Sequence, residues 1–182
     1  MRKNTARRTA WLVLALSGVA LLSLASAQDE PKLVPEPVEV KTILPLLPEP
    51  PAGWKAEPAE GTTDDIGETK ITTVHRDYTK GEGKDALTTS ISILDSFANP
   101  EYVQMTVAGW TADTTEADGY SKAVTIEGLP GFETFANADK HGTLWLVAAK
   151  RYIVQIETTG QDATALQEWQ KRIDLKKLDA LK

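Results

Sequence analysis

After residue 52 the chain alternates and repeats with periods that divide it into short elements. Leu87, Thr89, Ile91 and Ile93 share one face of an extended segment, with Thr88, Ser90 and Ser92 opposite, the period-two pattern of a half-buried strand. Residues 71–78 (ITTVHRDY) set Val74, Arg76 and Tyr78 on one face and Ile71, Thr73, His75 and Asp77 on the other, and their β-branched content favours a strand. Residues 143–158 (TLWLVAAKRYIVQIET) are the most apolar stretch beyond the N-terminal segment and are broken by Lys150 and Arg151. They predict two neighbouring strands with a tight hairpin near residues 149–151, at the centre of an antiparallel sheet. Residues 121–127, with Val124 and Ile126 inward, and residues 132–136 predict two more strands around a turn at 128–131 (GLPG), and residues 139–142 (DKHG) turn the chain again.

Two helices complete the pattern. Asn99, Pro100 and Glu101 read as N-cap, first helical residue and first-turn acid, and Val103, Val107 and Trp110 recur at helical spacing in a stripe that needs a sheet to pack on. Asp162 is placed to cap a last helix in which Leu166, Trp169 and Ile173, then Leu175, Leu178 and Leu181, keep one apolar face. Residues 60–69 (EGTTDDIGET) and 113–119 are polar and read as loops. Strands, a helix, more strands and a helix imply an α+β domain, a mainly antiparallel sheet flanked by helices, over residues 53–182.

The N-terminus is of a different kind. Arg2, Lys3, Arg7 and Arg8 precede an uncharged, mostly apolar run that ends in Ala25, Ser26 and Ala27. A basic region, an apolar run and an A-x-A site read as a secretory signal peptide, residues 1–27, cut between Ala27 and Gln28. The rival is an uncleaved anchor, because residues 9–28 approach the roughly 20 needed to span a bilayer; the small residues at the end of the run favour cleavage. Residues 28–52 form a Pro-rich arm or linker: seven of the ten prolines lie between 31 and 51, each fixing φ and removing a donor, so neither helix nor inner strand is expected. The apolar residues among them, such as Val38, Ile43, Leu46 and Leu47, are too many for a fully solvated spacer. The expected arm packs weakly on the domain or docks another protein.

Charge and composition then narrow the partners. The 182 residues carry 20 Lys plus Arg against 26 Asp plus Glu, and removing residues 1–27 leaves 16 against 26, near −10. Such a balance argues against nucleic acid, which is met by a basic face, and against a strongly anionic membrane surface. Without cysteine there is no disulfide, thiolate catalysis, thiolate zinc site or N-terminal lipid anchor on Cys. The expected location is the periplasm or the exterior, as a protein with no stable membrane insertion after signal cleavage.

The candidate chemistry is sparse. His75 and Asp77 share a strand face, a spacing that sets a nitrogen beside a carboxylate for a metal or a proton relay; an exposed polar strand face is the plainer reading. Arg76, on the apolar-leaning face, must find a carboxylate or carbonyls. His141 lies in a turn, where polar residues are common. The acids around Gly119 invite calcium, but an EF-hand register on that glycine puts Thr114 and Thr125 where carboxylates belong, leaving a solvated acidic loop. No G-x-S-x-G and no phosphate-binding glycine loop occurs, so no catalytic residue, cofactor or metal ligand is assigned. Trp54, Trp110, Trp145 and Trp169 fill a core, or line an apolar ligand pocket.

The order of elements resembles the PsbP/Mog-type fold, an α/β/α sandwich around an antiparallel sheet. The resemblance is carried by the Pro51 to Trp54 opening, the strand ending in Arg76, Asp77 and Tyr78, the Asn99–Pro100 helix, the GLPG turn at 128–131, the RYIV strand at 151–154 and the last helix. Members of that fold are mostly non-enzymatic accessory proteins, among them a photosynthetic extrinsic subunit, a Ran-binding import factor and bacterial envelope proteins. The resemblance implies a non-enzymatic domain that binds another envelope or secreted protein. The alternative expectation is a carrier or sensor of a small apolar ligand, and a third is a hydrolase with an unorthodox site.

Overall fold

The computed structural model describes residues 36–67, 69–97, 100–111 and 113–181. The expected signal segment with its cleavage pair Ala27 and Gln28, and the expected cap Asn99, lie outside the described residues. In chain order the elements are α1 (Val40–Ile43), a 3-10 turn (Leu44–Leu46), β1 (Lys55–Ala56), β2 (Glu60–Ile66), β3 (Thr69–Lys80), β4 (Leu87–Asp95), α2 (Pro100–Ala108), β5 (Asp113–Glu116), β6 (Gly119–Ile126), β7 (Leu129–Ala136), β8 (His141–Ala148), β9 (Tyr152–Thr159), α3 (Thr164–Gln170) and α4 (Leu175–Asp179). The nine strands form one sheet in the order β1-β3-β4-β9-β8-β7-β6-β5, with β2 also paired to β3. Every pairing is antiparallel. The chain is therefore mainly β with a few short helices.

The alternation read from sequence sets the two faces. Ile91 and Ile93 of β4, Leu144 and Leu146 of β8 and Val154 and Ile156 of β9 are fully buried on the front, under Leu166, Trp169, Ile173, Leu175 and Leu178 from the C-terminal helices. Residues one step out of phase, Leu94, Val147 and Ile153, point to the back and meet Val103, Val107 and Trp110 of the α2 segment. The hairpin between β8 and β9 sits at the centre, as its apolar run implies. Its turn is tight enough to hold Ala149 and Lys150 at φ of 52° and 54°, and Asp179 Oδ1 accepts the Ala149 N–H at 2.8 Å.

Several expectations are corrected. Residues 60–69 and 113–119 are not loops: most of them form the edge strands β2 and β5, whose hairpins pair them to β3 and β6 although their own side chains are solvated. The turn expected at 128–131 is a two-residue turn at Glu127 and Gly128, both at positive φ, and Leu129, Pro130 and Gly131 already belong to β7. The last helix breaks after Gln170, and Asp174 caps α4 by accepting the Lys177 N–H at 2.9 Å. Asp162 makes no side-chain cap; it pairs with Lys140 at 3.0 Å. The described part of the Pro-rich arm is neither without helix nor weakly packed. The proline-free gap between Pro37 and Pro45 closes one helical turn, and Ile43, Leu46 and Leu47 are 0%, 5% and 5% exposed in the front core. Burying three such side chains contributes about 1.5–3 kcal/mol each.

Candidate functional site

The three residues expected to form a polar site divide between the two sides of the sheet. His75 and Asp77 are exposed on the back; His75 lies in register with Glu60 of β2 and Ser92 of β4, and Asp77 with Ser90. Among the described residues no group of three His, Asp or Glu side chains is arranged to hold a metal. Arg76 points to the front, where the arm and the Glu57 carbonyl satisfy it. Its Nε donates to the Glu57 carbonyl at 2.9 Å, and its Nη1 donates to the Pro48 carbonyl at 3.3 Å and pairs with Glu49 at 3.2 Å. Tyr78, fully buried beside it, donates to the same Pro48 carbonyl at 2.7 Å, and burial pushes its hydroxyl up to about 12. Arg76 and Tyr78 thus fasten the arm to the sheet.

Two polar assemblies that sequence reasoning passed over also hold the fold. Asp95, fully buried at the end of β4, accepts from Arg151 Nε and Nη2 at 2.7 Å each, from the Phe97 N–H at 3.0 Å and from the Val38 N–H at 2.6 Å. Burial alone would lower the Arg151 pKa; the hydrogen bonds and charge of Asp95 outweigh it and the net direction is up. The signal was present, because Asp95 continues the inward series of Leu87, Thr89, Ile91 and Ile93, and an acid on a core face must be paired. Glu133 is 2% exposed and accepts from the Tyr120 hydroxyl at 2.5 Å, with Lys122 Nζ at 3.4 Å. Burial, then the bond to Glu133, raises the Tyr120 pKa.

What remains is the open part of the back face. The register aligns Asp77, Ser90, Glu157, Thr143, Thr134, Ser121 and Thr114 in one row across seven strands. At about 4.8 Å per strand the row is about 29 Å long. All but Thr143 are half-buried or exposed. Beside it Trp145, Phe132 and Trp110 form an aromatic series with centroids 6.4 Å apart, Trp110 stacked on Phe132 and Trp145 tilted against it, leading to the end covered by α2. His141 closes the row's lower edge, with Nδ1 3.3 Å from Thr159 Oγ1 and Nε2 3.6 Å from Glu157.

Three clefts open on this side. One of about 460 Å³ is lined by Glu116, Asp118, Ser121, Thr134 and His141 among others, one of about 390 Å³ by Glu60, Thr62, Thr73 and His75, and one of about 300 Å³ by Glu57, Asp77, Ser90 and Glu157 with neighbouring threonines. A fourth, of about 500 Å³, lies at the β8–β9 hairpin between Phe97, Pro100, Arg151 and Leu181. None of the four is lined by a tryptophan. Trp169 instead packs edge-on against Trp54 at 5.0 Å and against Tyr78 at 4.6 Å in the front core. Among the described residues no helix is long and apolar enough to cross a membrane. Comparison with family models, with curated proteins and with solved structures finds no match to this chain.

Proposed function

We propose that this chain is an exported, non-enzymatic accessory domain that binds another protein of the cell envelope or exterior, built as an α/β/α sandwich of the PsbP/Mog type. The observation that carries the reading is the open back face. A row of polar side chains spans seven strands there, and among the described residues only one end of that side is covered, by α2. The helices on both sides of the sheet support the sandwich, and the buried polar groups described above are engaged in holding the fold. A basic leader ending in A-x-A supports export, with Gln28 as the first residue of the mature chain.

The test is to crosslink a C-terminally tagged full-length protein in its native cells and to identify by mass spectrometry what co-purifies. One dominant polypeptide in near-equal amount is expected; a partnerless monomer contradicts the reading. A second reading, a carrier of a small apolar ligand, is favoured by the cleft between Phe97, Pro100 and Leu181, which at about 500 Å³ is large enough for one. A bound small molecule on the partnerless chain, lost when Phe97 is changed to Asp, would establish it instead.

A further inference from the structure

We infer that the open back face is the docking surface, and that its partner presents an extended, basic segment. This rests on the protein-binding reading above and names the chemistry of the surface. Strands β2 to β9 place no Lys or Arg on that side: the registers put Lys70, Arg76, Lys80 and Lys122 with the front-facing residues. Glu60, Asp64, Asp77, Glu116 and Glu157 face the back. From residue 85 to residue 121, which supply β4, α2 and β5, the chain contains no Lys, Arg or His at all. Lys55 on β1, in register with Thr79, stands at the corner of this face and lies 3.8 Å from Glu82.

Shape and charge agree. Each of the three back-face clefts has at least one carboxylate in its lining and no Lys or Arg. A Lys or Arg side chain entering the cleft of Asp77 and Glu157 meets three carboxylates, with Glu57, and the hydroxyls of Thr88, Ser90 and Thr159, acceptors throughout. The long polar row suits an extended segment whose alternate side chains point at the sheet. Anionic partners are repelled along the whole face, and a net charge near −10 for residues 28–182 adds long-range attraction for a basic one.

The test uses the full-length protein in its native cells with a photo-crosslinking residue in place of Thr88, exposed on the back face, or of Lys171, exposed beside α3. Capture from Thr88 of a protein segment richer in Lys and Arg than in Asp and Glu is expected. The yield should fall about fivefold in the doubly neutralised variant Asp77→Asn/Glu157→Gln, whose two exposed ion pairs are each worth up to about 1 kcal/mol. Both side chains are solvent-accessible, so the variant should melt with the parent, which circular dichroism checks. Capture from Lys171 alone overturns the docking surface and leaves the protein-binding reading standing. Capture at Thr88 of an acidic or uncharged segment, or of a glycan, or with a yield indifferent to the double variant, overturns the docking chemistry. No capture at either position overturns both.

Discussion

Replacing Asp95 with Ala should unfold this protein more readily than any other single loss of a polar side chain described here. The carboxylate is fully buried, forms a two-point pair with Arg151 and accepts two backbone N–H groups. The arginine it leaves behind has a side chain only 9% exposed, so its charge cannot be rehydrated without opening the sheet end. Removing one partner of such a pair costs about 3–5 kcal/mol, and the orphaned Phe97 and Val38 donors keep the loss at the upper end. For a domain of this size that is a fall in Tm on the order of 10 °C. Urea unfolding followed by tryptophan fluorescence measures the cost, since Trp54 and Trp169 sit in the core. The double variant Asp95→Leu/Arg151→Met should recover part of it, because no charge is then buried alone, yet not all, because the two backbone donors still lack their acceptor. A loss below about 1 kcal/mol for Asp95→Ala would refute the claim that this pair joins the arm, β4 and the central hairpin.

Other outcomes follow from the same structure. Ile43→Ala should cost about 2–5 kcal/mol in urea unfolding, because the arm is part of the core; a cost under about 1 kcal/mol would mean that it is only laid on the surface. Gly131→Ala should destabilise by about 1–3 kcal/mol or more, since a Cβ there would stand 2.5 Å from the Trp145 carbonyl oxygen and 2.6 Å from Leu146; unchanged thermal melting would contradict the tight β7–β8 approach. Stability should fall as pH rises from about 10 to 12. The folded state holds the Tyr78 proton up to about 12 while the unfolded chain releases it near 10, so the contribution is intact below pH 10 and lost above it. Tyr78→Phe should flatten that alkaline slope without removing it, because Tyr120 and Tyr152 are shifted the same way; a slope unchanged by the substitution would count against it. Millimolar calcium should leave the Tm in place, and a rise of several degrees would show that the acids near Gly119 bind it.

How much was legible in the sequence depended on whether a segment carried its own burial pattern. Residues 87–94 and 143–158 did, because alternate side chains enter a core, and the strands and hairpin lie where the pattern put them. The strands β2 and β5 did not: EGTTDDI and DTTE have solvated side chains and become strands through the hydrogen bonds of a neighbour, which a local pattern does not contain. The break between α3 and α4 was hidden in the same way, since the apolar spacing of Leu166, Trp169, Ile173 and Leu175 continues through it. For the candidate site, the shared face of His75 and Asp77 followed from period two alone. Their neighbours did not, because Glu157 comes beside Asp77 only through the registers of β3 with β4 and β4 with β9, more than 60 residues apart in sequence. Arg76 was legible as a guanidinium in need of acceptors, but two of them, the Pro48 carbonyl and the Glu49 carboxylate, came from the arm that was expected to be a spacer.

The central claim, that this domain works by holding another protein through its acidic back face, is tested most directly by native mass spectrometry of the untagged protein extracted gently from its own cells. At low ionic strength the account predicts a complex of this chain with one other polypeptide, falling apart as salt is raised before desalting and spraying, because exposed charge pairs are screened. A bare chain at low salt, or a chain carrying only a small molecule, would contradict it.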